Sequence, residues 1–180
     1  MAQHPRDDWK LKPFDLEARF THSLANAPLT SAERDQIYRI VDSDVHNAFS
    51  DAQREEERKA IMNFRVGSVA LARNGSKQIL VRGTDSFCGA TGNCSMWIFV
   101  RRAAQLRLAL GTEGQLLIVR DSFTQGFRDI AIGLHDSAFV EQYTVYGWDR
   151  VGYKQVDCYS RITPISDDTS PRRPFIEGCR

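Results

Sequence analysis

No stretch of this 180-residue sequence approaches the roughly 18 consecutive apolar residues that a membrane-spanning helix needs, so no membrane span is expected. Charge of one sign is also missing. Lys and Arg total 24 against 23 Asp and Glu, for a net charge of +1, which gives no global attraction to nucleic acid or an anionic membrane. The start, Met1-Ala2-Gln3-His4-Pro5-Arg6, lacks the apolar core of a signal peptide. There is no P-loop, dinucleotide fingerprint or nucleophile elbow. Histidines are few, at 4, 22, 46 and 135, and none pairs with another at metal-ligand spacing. Cys88 and Cys94 are too far apart for the usual zinc spacing of about two to four residues. Asp167-Asp168 alone does not make a calcium loop. Neither a metal nor a cofactor is expected.

What is present is an even set of four cysteines, at 88, 94, 158 and 179. Such a set suits an oxidising compartment, whereas the polar start suits a cytoplasmic one. An export leader absent from this chain would reconcile the two, and a secreted or periplasmic location is the expectation. Three connectivities are open. Only Cys88–Cys94 with Cys158–Cys179 makes both loops local, closing about 7 and 22 residues for roughly 2–3 and 3–4 kcal/mol of stabilisation.

The length fits one domain, residues 1–180. Residues 1–29 read as an irregular arm, broken by Pro5, Pro13 and Pro28, with Trp9, Phe14, Leu16 and Phe20 available for docking. Residues 30–63 read as helical. Thr30-Ser31-Ala32-Glu33 is a capping box, and Ile37, Ile40, Val41, Val45, Ala48 and Phe49 follow at helical spacing. Ser50-Asp51-Ala52-Gln53 repeats the cap before Arg54–Met62, whose charged run reads as a solvated face.

From Phe64 the period changes to two. Residues 64–162 read as an antiparallel β-meander, and 163–180 as a surface tail. Asn74-Gly75 predicts a type I′ hairpin. Further turns are predicted at Ala103-Ala104, Gly111–Gly114, Gln125-Gly126 and Asp149–Gly152. Gln78–Gly83 corresponds to Asp129–Leu134, and Trp97–Val100 to Thr144–Gly147. This weak two-fold duplication has a period of about 50 residues, the size of a propeller blade. The fold class is therefore α+β: two amino-terminal helices on a meander of about seven or eight strands, as an open sheet or small barrel.

Candidate sites each carry two readings. Cys88 is either half of a staple or a nucleophile, with His135 as base and Asp136 as orienter. Adjacent residues on a strand point to opposite faces, however, so His135 and Asp136 cannot orient each other directly; the plainer role is a pair flanking a turn at Ser137. Trp97 and Phe99 share one strand face, Tyr146 and Trp148 another, and Tyr153 follows on the next arm. They are either core or the lining of a groove, rimmed by Arg101, Arg102, Arg107, Arg120 and Arg128, for a protein or glycan partner.

Phe87-Cys88-Gly89-Ala90-Thr91-Gly92-Asn93-Cys94, with Trp97-Ile98-Phe99 behind it, resembles a segment of a group of secreted bacterial proteins of unknown function. Arg128-Asp129-Ile130, His135–Ala138, Trp148-Asp149 and Asp157-Cys158-Tyr159 extend the likeness from about Val66 to Tyr159. It implies export and a β-rich fold, and carries no catalytic residue across. Those proteins often have Gly after the Asp of the last hairpin, where this chain has Arg150. The expected role is a non-catalytic extracytoplasmic binding module. A small hydrolase or transferase using His135, Asp136 and Cys88 is the first alternative, and a structural subunit of an oligomer the second.

Overall fold

The capping box forms at Thr30. In the computed structural model, which describes residues 6–11, 19–45, 54–103, 105–164 and 174–179, the Thr30 N–H donates to Glu33 Oε2 at 3.0 Å. The Glu33 N–H donates back to Thr30 Oγ1 at 3.2 Å. This opens α1 (Ser31–Val45), whose Ile37 and Val41 are buried one turn apart. In α2 (Arg54–Met62), Ile61 is buried and most of the charged run faces solvent. The second cap, Ser50–Gln53, lies outside the described residues, as do Ala48, Phe49, Trp9's side chain, Phe14 and Leu16.

The described residues form ten antiparallel strands in two sheets, a correction to the expected single meander of seven or eight. The first sheet runs in chain order from β1 (His22–Ser23) through β2 (Arg65–Ala70), β3 (Lys77–Arg82) and β4 (Cys94–Arg102) to β5 (Gln105–Gly114). The second runs from β6 (Leu116–Thr124) through β7 (Phe127–Ser137), β8 (Val140–Trp148) and β9 (Tyr153–Ile162) to β10 (Phe175–Gly178). The arm and the tail each contribute one short edge strand, β1 and β10, which cover edge groups that the inner strands leave unpaired.

The division into sheets arises at Gly111–Gly114, which is strand rather than turn. Cys94 pairs with Gly114, and only Gln115 separates β5 from β6. There the chain leaves one sheet and enters the other. The sheets cross so closely that a Cβ on Gly114 would lie 2.4 Å from Ile132 Cγ2 and 3.1 Å from the Gly133 carbonyl. The Asn74-Gly75 turn also differs from a two-residue hairpin. Ala72 bridges to Phe127, and the Arg73 N–H donates to the Gly126 carbonyl, drawing the end of β2 away from β3. The Asn74 side chain accepts from the Ser76 N–H instead. Turns occur as expected at Gln125-Gly126, at Asp149–Gly152 and at Ala103, with Ala104 outside the described residues. Arg150 takes a φ of +83°, a conformation that favours glycine. The expected duplication is not shown: its residue correspondence matches β3–β5 with β7–β9, one place out of step with the two sheets.

Three apolar clusters define the layers. Leu80, Met96, Ile98 and Val100 meet Leu117, Ile130, Ile132 and Trp148 between the sheets. Ile37, Val41 and Ile61 cover Val81, Trp97 and Phe99 on the outer face of the first sheet. Tyr143, Val145 and Tyr159 form the outer face of the second. There the arm docks through a buried polar group. Tyr159 donates to Asp8 Oδ2 at 2.9 Å, and Arg120 Nε lies 2.7 Å from Asp8 Oδ1, with Asp8 and Arg120 at most 4% exposed. Burial pushes the Asp8 carboxyl above its ordinary pKa; Arg120 and Tyr159 oppose that rise.

Two predictions follow from this packing. Gly114→Ala should lower stability by about 1–3 kcal/mol in urea unfolding, because β-branched Ile132 and the Gly133 backbone cannot yield freely; an unchanged midpoint would contradict the close crossing. Glu33 is held below its usual pKa of 4.5, first by the Arg101 hydrogen bond and then by the Thr30 N–H. A depressed acid contributes stability that is present above its unfolded pKa and lost as pH falls through the folded one. The stability gap between the native chain and Glu33→Ala should thus be constant near neutrality and close on acidification below 4.5. A gap independent of pH would contradict it.

Candidate functional site

The loop from Cys88 to Cys94 is small, polar and closed on itself. Cys88 and Cys94 are joined as a disulfide and pair as an isolated bridge. The Gly89 N–H donates to the Asn93 carbonyl at 2.7 Å, and the Gly92 N–H to the Gly89 carbonyl at 2.8 Å. The second expected pair, Cys158–Cys179, is also formed, pinning β10 to β9. Cys88 is therefore not a free thiol here. Two disulfides indicate an oxidising environment, and no described helix is long and apolar enough to cross a membrane.

The loop is anchored to the second sheet by one side chain. Asn93 Nδ2 donates to the His135 carbonyl at 2.8 Å, and the His135 N–H donates to Asn93 Oδ1 at 3.1 Å. The amide thus acts as one more peptide unit added to the end of β7. The same Nδ2 reaches Thr91 Oγ1 at 2.8 Å. His135 and Asp136 belong to β7 rather than to a loop; His135 is half-buried, Asp136 is exposed, and no hydrogen bond joins their side chains. Ser137 Oγ accepts from the Phe139 N–H at 3.3 Å and caps the turn.

A depression of about 640 Å³ lies against the loop, lined by Asp44, Phe87, Thr91, Asn93, Ser95 and Glu113 among others. A hollow of about 250 Å³ lies beside it, lined by Thr91, Gln115, His135 and Ser137. Thr91 borders both. Asp44 lies in the last turn of α1 and is oriented by Trp97, whose Nε1–H donates to Asp44 Oδ2 at 2.7 Å. Behind it, Trp97 stacks on Phe64 at 5.6 Å, and Phe64 meets the half-buried Phe87 edge-on at 4.6 Å. Glu113 is exposed, and its carboxylate has no hydrogen-bond or ion-pair partner among the described residues. The depression thus presents two carboxylates, several hydroxyls and one aromatic side chain, an arrangement that accepts from and donates to hydroxyl groups.

The aromatic candidates sit in cores rather than on a groove. Trp97 and Phe99 are at most 1% exposed beneath the helices. Trp148 stacks on Phe127 at 3.9 Å between the sheets, and buried Tyr153 donates to the Arg128 carbonyl at 2.9 Å. Tyr146 is half-buried, its hydroxyl 3.2 Å from Thr112 Oγ1. The expected arginine rim is dispersed: Arg101 pairs with Glu33, Arg120 with Asp8 and Arg128 with Asp121, while Arg102 lies over the Trp148 ring. Among the described residues no group of three or more His, Cys, Asp and Glu could hold a metal ion; His4 and His46 lie outside them. Sequence reasoning missed Asp44, Glu113 and the Asn93 side chain. A buried Trp97 N–H requires an acceptor, which was the available signal for Asp44.

Asn93→Ala removes both bonds to His135 and leaves that backbone without its partner, so stability should fall by about 1–3 kcal/mol. Chemical denaturation with both disulfides intact measures this, and a change within about 0.5 kcal/mol, the scale of an ordinary surface substitution, would show that the anchor does not form. Comparison with known proteins gives no match for this arrangement: no family model fits the chain, and no curated protein or solved structure is significantly similar to it.

Proposed function

We propose that this protein is a non-catalytic recognition module, secreted or periplasmic, whose disulfide-loop end binds a neutral glycan. The observation that carries this reading is the depression at that end, shaped before any ligand arrives. Its walls are held by the Cys88–Cys94 bond on one side, by the Asn93 amide on another, and by the Trp97–Asp44 bond beneath. A site ordered in advance loses little entropy on binding. Carboxylates, which accept strongly from hydroxyls, together with the hydroxyls of Ser95 and Thr91 suit the dense hydroxyls of a sugar. Phe87 supplies an apolar contact for a ring face. Export agrees with the two disulfides and with the resemblance of the CGATGNC segment to secreted proteins.

Titration of the oxidised protein with neutral oligosaccharides, followed by amide chemical shifts, tests this. Shifts should cluster at Thr91, Asn93, Ser95 and Glu113, and Glu113→Ala should weaken binding about tenfold, as for one hydrogen bond to a charged group. Shifts confined to another face, or no binding across a broad panel, would overturn the reading.

A further inference from the structure

Four hairpin turns gather at the end of the molecule away from the disulfide loop. β4 leaves that loop at Cys94 and reaches the far end at Arg102, roughly 26 Å of strand away. There the two sheets meet again through their turns. The Arg73 N–H, between β2 and β3, donates to the Gly126 carbonyl of the β6–β7 turn. Arg102 Nη2, at the β4–β5 turn, donates to the Arg150 carbonyl of the β8–β9 turn, and Arg150 Nε donates to Gln125 Oε1 at 3.2 Å. A net charge of +1 conceals what this brings together. Residues 72–77, 101–105, 121–128 and 149–154 hold seven Lys and Arg against two Asp.

Part of that charge is matched locally. Arg101 pairs with Glu33, and Arg128 with Asp121. Arg73, Arg102 and Arg150 differ: all three are exposed, and their contacts among the described residues are with neutral groups. The Arg73 guanidinium lies 4.9 Å from the Phe123 ring centroid, and that of Arg102 lies 5.7 Å from the Trp148 ring. Rings and carbonyls fix where a guanidinium sits and leave its charge in place. Asp149, the acid of the β8–β9 turn, is folded onto its own backbone. Its Oδ1 accepts from the Val151 and Gly152 N–H groups, each at 3.0 Å. The turn so fixed holds out Val151, which is 64% exposed, more than any other large apolar side chain described.

Three positioned cations around a projecting apolar tip narrow the choice of partner. A soluble polyanion would meet the arginines but bury nothing against Val151. A lipid surface offers both, phosphates in a plane and an apolar layer beneath them. We infer that this end of the protein docks on an anionic membrane surface. Arg73, Arg102 and Arg150 lie beside lipid phosphates, and Val151 enters the interface. Such binding is peripheral and needs no membrane-spanning segment. The surface lies at the opposite end from the glycan depression and does not rest on that reading.

The test uses the full oxidised chain and three probes. These are vesicles of phosphatidylcholine alone, vesicles of phosphatidylcholine and phosphatidylglycerol in equal parts, and soluble dextran sulfate. Calorimetry should detect the mixed vesicles, with affinity falling as salt shortens the screening length, and neither other probe at comparable affinity. Arg150→Gly suits the positive φ there and removes one charge, so it should weaken binding about fivefold, the scale for one cation near an anionic surface. Combined with Arg73→Gln the loss should reach about twenty-fivefold, since separate contacts add. Val151→Ser should weaken binding about fivefold through the lost apolar contact, while Glu113→Ala, at the other end, should leave it unchanged. Equal binding to the neutral vesicles would overturn the proposal. So would dextran sulfate binding as tightly as the mixed vesicles, since the ligand would then be a soluble polyanion. No binding, or binding that the double variant or Val151→Ser leaves intact in folded protein, would overturn it as well.

Discussion

The loop end of this molecule depends on the side-chain amide of Asn93. A loop of seven residues, with two glycines, one threonine and one asparagine between its cysteines, has almost nothing apolar to bury and would stay mobile if held only at its ends. The disulfide closes it, but closure fixes only the spacing of its ends. The two bonds between Asn93 and the His135 backbone set where the loop points, because they tie it to a strand of the other sheet. They do so close to the place where the chain itself changes sheets, with Cys94 opposite Gly114 and the Gln115 N–H donating to the Gly133 carbonyl. The depression, its neighbouring hollow and the sheet crossing are thus fixed together.

Elsewhere the fold uses polar groups to hold its coverings. The amino-terminal arm lies on the second sheet through Asp8, Arg120 and Tyr159, all buried. Such a pair adds modest net stability, yet removing one partner costs about 3–5 kcal/mol because the other is left charged and dry. It therefore specifies where the arm lies more than how firmly it adheres. Outside the pair, Arg6 reaches Asp157 through two hydrogen bonds at 3.0 and 3.2 Å. Burial next to Asp8 holds the Tyr159 hydroxyl far above its ordinary pKa, so it stays a donor at any physiological pH. The tail is secured differently, by Cys158–Cys179 and the short pairing of β10 with β9.

Features written in adjacent residues were legible in the sequence. The Thr30–Glu33 cap, α2, the strands from Leu116 to Ile162 and both disulfide pairs follow from local spacing. What was not legible depends on residues far apart. Gly111–Gly114 reads as a turn, and only the nearness of Ile132 and Gly133 makes it the continuous strand on which the chain changes sheets. β1 and β10 have two and four residues, too few to show a period. Met96–Val100 is buried on both faces, so its aromatics carry no pattern that separates core from groove. The Asn93–His135 bond spans 42 residues, and an asparagine inside a turn-like loop has a sufficient local explanation already. The structure brings the loop and His135 together, with His135 near the end of its strand.

The central claim is that the loop end is rigid before it meets any ligand, and hydrogen exchange at the His135 amide measures this directly. That amide sits near the exposed end of β7, where an unanchored strand frays and exchanges quickly. Bonded to Asn93 Oδ1, it should exchange as slowly as amides in the middle of β7, in the oxidised protein and without added saccharide. Exchange as fast as that of an exposed strand end would contradict the account.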